Sequence, residues 1–389
     1  MAADANSVAL RFVEESTYGE TPSGPPTLQT LRFTSESLKE STDSTKSNEI
    51  RADRATSDII RTGVRAAGDI NGEMSYGTYD TLIKHAFLDS AYSTVIDDTD
   101  TTYSMDDTDN SINDSGNGFV TDGWAEGMWM EIRGFTGTAA NNGYARCETV
   151  AAGKIILSHH TVVTDAAGES VTLKNSGHLT AGTTLGSSVF EKEFTDLSNT
   201  FATYNGLSPN VWELAISSNG ILTTRFGMIG KREVSVTSTI GDGSPTAATT
   251  TSVMNGIDNV VGIFEGGTSF DLTSFNFTLT NNLRERLKIG TLGAFELGKG
   301  SIDISGSFTA YLSSNTLPDK HLNWTDTSIA VVMEDAAGNA YALDIPSVKI
   351  VDSDRNATGL NTDVLLNATF NGKLHPTELI TLGWSRFAA

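Results

Sequence analysis

The sequence has little of several features that would each point to a particular class of protein. It contains one cysteine and 8 prolines among 389 residues, which excludes a small fold held together by disulfides. No run of about 18 apolar residues occurs, so no transmembrane helix is predicted. The N-terminal segment lacks the basic and apolar regions of a signal peptide. We therefore expect a protein that is made and folded in a cytoplasm.

Basic residues are also scarce. Only 26 Lys and Arg face 48 Asp and Glu, which gives a formal net charge of -22. Because phosphate groups are bound mainly by Lys and Arg, this balance argues against a nucleic-acid-binding surface. Hydrophobic residues make up 38% of the chain, which is enough for substantial cores in a chain of this length. The composition predicts a folded, acidic protein.

Motifs that carry catalysis or bind metals are missing as well. The six histidines do not occur at metal-binding spacings, and no nucleophile elbow or phosphate-binding loop is present. Cys147 lies in a strand pattern and is interpreted as a core residue. Residues 97–100 and 106–110 offer oxygen ligands for Ca²⁺ but lack the glycine and distal glutamate of a calcium-binding loop. We interpret them as a solvated acidic linker and leave calcium binding open; no catalytic, cofactor or metal residue and no enzyme activity are predicted.

The pattern that is present is alternation of apolar and polar residues. Residues 269–279 and 302–311 alternate over their whole length, which is typical of half-buried strands. The clearest helical pattern covers residues 78–88, where Leu82 and Phe87 fall on one apolar stripe. The sequence therefore predicts a mostly β fold with few helices.

An internal repeat accompanies this pattern. Three pieces recur in the same order, namely residues 48–51 as 281–284, 70–74 as 304–308, and 84–85 as 320–321. Their separation stays at roughly 233–236 residues, which indicates a duplicated domain. A further match, residues 190–207 with 329–346, has an offset of only about 139, so an insertion of about 95 residues in the first copy is predicted.

Composition independently marks the insertion. Residues 89–131 contain eleven acidic residues and no Lys or Arg. Residues 92–115 are interpreted as an extended acidic linker, followed by a compact β pattern. The predicted organisation has four ranges: 1–91, the N-terminal part of the first domain; 92–186, the inserted linker and small β module; 187–262, the C-terminal part of the first domain; and 263–389, the second domain.

Each predicted domain carries a long polar loop at the same place. These loops cover residues 34–57 and 280–298, and both mix charges of the two signs. A long loop in a compact domain needs a reason, and an arm that contacts a neighbouring subunit is preferred over a solvated hairpin tip. The predicted contact residues are Glu49, Arg51, Asp53, Arg54, Asn281, Asn282, Arg284, Glu285 and Arg286.

The residues of these segments resemble a known family. Residues 31–38, 47–54 and 68–73, together with 281–286 and 289–293, are similar to the major tail tube proteins of bacteriophages with long, non-contractile tails. The resemblance covers about three quarters of the chain. It implies two tandem tail-tube-type β-sandwich or barrel domains, each with a flanking helix, while the inserted small all-β domain resembles a decoration module.

The resemblance also implies a function. Tail tube subunits join sheet edges around an axis, and their rings stack through long loops into a hollow tube. A chain with two such folds would form a homotrimeric, pseudo-hexameric ring rather than a hexamer. The implied partners are further copies of the chain, the tape-measure protein, the tail terminator, the tail-tip proteins and DNA that passes without specific binding, with no membrane.

The expected location is the virion tail, after assembly in the host bacterial cytoplasm. In this view the acidity keeps DNA from adhering to the tube wall. Two alternatives stay open at this point. One is a tail terminator or connector ring; the other is a carbohydrate-binding β protein, for which Trp124 and Trp129 would be candidate stacking residues.

Overall fold

A computed structural model of the chain describes residues 2–357 and 359–389. The fold is mostly β, with 48% strand and 6% helix, which confirms the predicted fold class. Among these residues, eighteen strands join into one network, seven form a separate sheet, and two form a small ribbon.

The elements follow one another in chain order. The first part contains β1 Val8–Glu14, β2 Gln29–Thr30, β3 Ser35–Glu36, β4 Lys39–Lys46, β5 Ile59–Glu73 and helix α1 Asp80–Ala86. The next part contains β6 Ile96–Asp100, β7 Tyr103–Asp106, β8 Ser111–Asp114, helix α2 Phe119–Asp122, β9 Trp129–Arg133, β10 Gly143–Ala151, β11 Lys154–Ser158 and β12 Val171–Asn175.

The remaining elements complete both halves of the large network. After the insertion come β13 His178–Thr180, β14 Ser188–Phe194, β15 Phe201–Ser217, β16 Thr223–Gly230 and β17 Arg232–Val236. The last part contains β18 Val260–Glu265, β19 Thr268–Ser269, β20 Ser274–Thr280, β21 Arg284–Arg286, β22 Glu296–Gly298, β23 Asp303–Tyr311, helix α3 Thr316–Leu322, β24 Asp326–Glu334, β25 Ala340–Asp354, β26 Leu365–Gly372 and β27 Gly383–Phe387.

The strand pairing repeats. In the first half the antiparallel order is β1, β14, β15, β16, β5, with β3 and β4 following one another along the outer side of β5. In the second half the order is β18, β24, β25, β26, β23, β20. A short helix follows β5 and β23 alike. The two halves therefore share one topology, here called the first and second repeat, while the exact domain boundaries stay a prediction.

Irregularities fix which residues correspond. A bulge falls between Pro209 and Val211 in β15 and between Ile350 and Asp352 in β25. A Cβ at Gly68 would lie 2.4 Å from the carbonyl oxygen of Ser37, and Gly306 makes the same close approach to the next strand. Gly68 and Gly306 are therefore equivalent.

This equivalence shifts one sequence match by four residues. Ile70 corresponds to Phe308, not to Ile304 as the sequence match predicted. Both Ile304 and Phe308 are buried. Since side chains on one face of a strand recur with period two, the apolar pattern alone does not fix the register.

The two repeats share one hydrophobic core. β15 of the first repeat pairs with β20 of the second, from Val211 opposite Thr280 to Ser217 opposite Ser274. Trp212 is fully buried there and packs edge-on against Trp384 of β27. The halves are therefore joined by a continuous sheet and core, and we call this contact the internal junction.

The predicted helix at residues 78–88 is confirmed as α1. Its apolar stripe, including Leu82 and Ile83, is buried in the shared core. At its N-terminal end Asp80 accepts hydrogen bonds from Tyr341 and Arg386 of the second repeat. The helix therefore also ties the repeats together.

The insertion forms its own sheet, in the order β6, β12, β9, β10, β11, β8, β7, around a separate core. The linker predicted at residues 92–115 is wrong, because this stretch forms β6, β7 and β8. Ile96 of β6 and Tyr103 and Met105 of β7 are buried, whereas the acidic residues of these two strands are not. Strands of four or five residues hold too few apolar positions for the alternation to stand out among so many acids.

Candidate assembly surfaces

The first predicted loop is largely a protruding hairpin, which we call the first arm. β4 and the start of β5 pair from Lys39 opposite Ala67 to Lys46 opposite Ile59, and only residues 47–58 connect them. The sequence prediction of a loop from residue 34 is therefore wrong for β3 and β4. Those strands are polar and mostly exposed, so they lack the apolar alternation that marks a strand.

The four predicted contact residues of the first arm lie in its connecting loop. Glu49, Arg51, Asp53 and Arg54 are all exposed. Arg51 forms a two-bond ion pair with Asp53, with Nη2 and Oδ2 2.7 Å apart. The two residues of the pair are two positions apart, and all four side chains are accessible.

The ribbon β21–β22 forms the second arm, with residues 287–295 at its tip. Arg284 donates to the carbonyl of Lys299, and Arg286 pairs with Glu296 at 2.9 Å. Glu285 instead turns toward the first repeat, where burial raises the pKa of its carboxyl. Arg284 and Arg286 are thus exposed on the arm, whereas Glu285 is half-buried within the chain.

The two remaining predicted residues sit at the base of the second arm. Asn281 is buried, and its amide donates to the carbonyl of Ala86 at the end of α1. Asn282 has a positive φ of 49° and donates to Asp303 at 2.6 Å. Asn281 therefore belongs to the internal junction rather than to a surface open to another subunit.

Apolar side chains on both arms were missed by the sequence reasoning. Ile50 and Ile289 at the tips are fully exposed, and Ile59, Ile60 and Leu287 are mostly exposed. An isoleucine within an otherwise polar loop is the signal that could have found them. Each arm therefore offers exposed apolar side chains together with one ion pair.

Each repeat has an open stretch of strand edge among the described residues. β4 pairs with β5 on one side and with no described strand on the other. β25 pairs with β24 only up to Lys349, so its last residues pair on the β26 side alone. Open edges present unpaired backbone groups to a further strand.

The insertion is held on the second repeat by a buried ion cluster. Arg146 is 3% exposed; its Nε lies 2.9 Å from Oδ2 of Asp344, and its Nη1 lies 2.9 Å from Oε1 of Glu378. Trp129 and Tyr144 pack beside this cluster against Ala342 and Phe387. No sequence motif indicated these contacts, which join strands about 200 residues apart.

The side chains considered for chemistry are buried. Trp124 and Trp129 are 4% and 0% exposed, so neither can stack on a sugar ring. Burial raises the pKa of Cys147 to about 12, which removes it as a nucleophile. The described residues contain no group of three or more potential metal-binding side chains. Among them no helix is long and apolar enough to cross a membrane.

Comparison with known proteins identifies a family. A family model described as phage tail tube protein matches residues 5–372, which includes both repeats and the insertion. No curated protein matches the chain.

Proposed function

The chain belongs to the phage tail tube protein family, and from that premise we propose that it forms stacked rings of a long, non-contractile tail. The family is one of structural proteins rather than enzymes. The observation that carries the proposal is the duplicated fold with one protruding arm per repeat. Three copies would supply six repeats around a closed ring, and the arms would reach the next ring.

The arms suit contact between rings. Both tips combine exposed isoleucines with ion pairs on their flanks. An apolar anchor surrounded by polar contacts is the usual composition of a specific interface. Because every repeat carries an arm, each ring can stack on an identical ring without limit, as heterologous contacts allow.

The net charge of -22 suits a conduit for DNA. Acidic side chains on the wall would repel phosphates, so DNA would pass without being held. The tube would lie in the virion tail after assembly in the host cytoplasm, around a tape-measure protein and between terminator and tail-tip proteins. Reversal of several wall acids to lysine should slow DNA ejection while rings still assemble; ejection at the normal rate would contradict this role.

Negative-stain microscopy of the purified protein tests the assembly. We expect rings with a central channel that stack into tubes. Monodisperse monomers at high concentration would overturn the proposal, and growth that stops at a single ring would favour a tail terminator or connector instead.

A pair of variants isolates the arms. In the double variant Ile50→Ser and Ile289→Ser, rings should form but stack poorly, because the apolar contact between rings is lost. Val120→Ser, in helix α2 of the insertion, is the matched control, since Val120 is also an exposed apolar residue at 56%. Tubes of equal length from both proteins would contradict the role of the arms.

A further inference from the structure

The internal junction shows how a strand of one repeat pairs with a strand of the next. There β20 of the second repeat lies along β15 of the first, beyond the end of β14. The equivalent stretch of β25 is the one whose outer side has no strand among the described residues. In the first repeat, the position of β20 is taken by β3 and β4, which pair one after the other with β5. Their outer side is likewise open. Each chain therefore carries, at two separate edges, the two strands that could pair in a second junction of the same kind.

The register of that second junction follows from the bulges and from the paired glycines. The bulge places Asp352 at the position of Val211. The close approach of Gly306 to Asn276, matched by that of Gly68 to Ser37, places Ser41 at the position of Thr280. Val211 lies opposite Thr280 in the internal junction.

We propose that β25 of one copy pairs antiparallel with β4 of a second copy, with Asp352 opposite Ser41 and Asp354 opposite Lys39. This rests on the proposed function and specifies its ring-closing contact. Asp354 and Lys39 are both exposed in the single chain and carry opposite charges. Opposite charges on directly facing residues stabilise an antiparallel pair, whereas like charges destabilise it.

The helix ends support the same contact. α1 and α3 are each followed by a residue with positive φ, Leu88 at 51° and Trp324 at 54°. Leu88 is 6% exposed and follows Ala86, whose carbonyl accepts a hydrogen bond from Asn281 at the internal junction. In contrast, Trp324 is 57% exposed and Leu322 is 68% exposed. Large apolar side chains at the corresponding place, open in one repeat and covered in the other, indicate a surface that a further copy covers.

In the single chain, carboxylates accept hydrogen bonds from backbone N–H groups at the open edge formed by β3 and β4. The N–H groups of Leu38 and Glu40 point away from β5. The first donates to Oε2 of Glu36 at 2.9 Å and the second to Oε2 of Glu233 at 3.2 Å. Ring closure would exchange these contacts for backbone carbonyls of β25, with Ser353 opposite Glu40. Such guarded edges limit uncontrolled strand pairing before assembly.

Disulfide trapping tests the register. Residues 41 and 352 would form a non-hydrogen-bonded pair, whose Cα separation of about 4.5 Å suits a disulfide. The variant Ser41→Cys with Asp352→Cys should give covalent oligomers on mild oxidation. Val211→Cys with Thr280→Cys, the equivalent pair of the internal junction, should oxidise within the monomer. The native Cys147 is buried, so few unintended disulfides should form through it.

A register-shifted pair is the negative control. Lys39→Cys with Asp352→Cys should give at least tenfold less covalent oligomer, because these residues would face each other only diagonally. Equal or greater yield from the shifted pair would overturn the proposed register. Rings seen by microscopy without a 41–352 disulfide would overturn this contact and leave the proposed function standing. Absence of rings from the wild type would count against the proposed function itself.

A charge exchange provides a second measurement if the cysteine variants fold poorly. Asp354→Lys should raise the concentration needed for ring formation several-fold, because it faces Lys39. Adding Lys39→Asp should restore assembly. If Asp354→Lys assembles like the wild type, or if the double variant recovers nothing, the proposed pairing of Asp354 with Lys39 is overturned.

Discussion

Replacing Arg146 by methionine should release the insertion from the second repeat. The change keeps most of the aliphatic volume but removes the charge between Asp344 and Glu378, whose side chains are 1% and 4% exposed. Removing one partner of a buried ion pair costs about 3–5 kcal/mol, because the remaining charge has no partner. The ion pair between Arg146 and Glu148 adds little to this cost, since the carboxylate of Glu148 is half exposed.

The free-energy cost of Arg146→Met should change with pH in a direction that the structure defines. Burial raises the pKa of Asp344 even with Arg146 present, and loss of the guanidinium removes the interaction that opposes this rise. A carboxyl with a raised pKa in the folded state stabilises fully below its unfolded value of about 3.9, and this contribution is lost as the pH rises. The deficit of the variant should therefore be largest near pH 7 and shrink toward pH 4.

Native-state hydrogen exchange measures the release. Peptides from β9 and β27 should exchange faster by roughly two to three and a half orders of magnitude, which corresponds to about 3–5 kcal/mol. Adding Asp344→Asn and Glu378→Gln should recover much of the protection, because no charge then stays buried. Arg51→Met, which breaks an exposed pair, is the control and should change little. Equal protection in the Arg146 and Arg51 variants would refute the reasoning.

Three further predictions concern stability and reactivity. Gly306→Ala should lower the free energy of unfolding by at least about 1–3 kcal/mol in a urea titration, because its Cβ would lie 2.4 Å from the carbonyl oxygen of Asn276 and 2.3 Å from the Phe370 ring; an unchanged midpoint would contradict the packing. A hydrogen bond from His85 lowers the pKa of Glu14 to about 2, so its contribution is present above the unfolded value of about 4.3 and is lost as the pH falls toward 2. Thermal unfolding of Glu14→Gln should therefore depend less on pH between 5 and 2 than that of the wild type, and identical profiles would exclude this contribution. Cys147 should resist thiol reagents at neutral pH until the inserted sheet unfolds, and rapid labelling of the native protein would contradict its burial.

The sequence allowed the mostly β class, α1 and the repeat to be predicted because these depend on local patterns. The apolar stripe of Leu82 and Ile83 has helical spacing, and long strands such as β23 alternate over many residues. The same patterns failed where strands are short or polar. β6 and β4 expose acidic and hydroxyl side chains on at least one face. Their own composition does not favour a strand, and they are strands because they pair with neighbouring strands.

The candidate surfaces were predicted less well. The exposed charges of the first arm were found because a long charged loop is visible in sequence. Asn281 was assigned to an outer surface, although its amide caps α1 inside the chain. The ion cluster of Arg146 depends on residues brought together by the tertiary fold, and no local signal reports such contacts.

The internal junction bears on the free-energy cost of building the proposed ring. Trp212, deep in that junction, corresponds to the polar Ser353 at the open edge. Six separate single-fold subunits would have to use one and the same surface both to stay apart in solution and to associate. Fusion of two folds lets one surface become a permanent core while the other stays polar and separable. In the proposed ring of three chains it would also halve the number of bodies that lose translational and rotational freedom on closure, so weaker contacts would suffice to hold the ring.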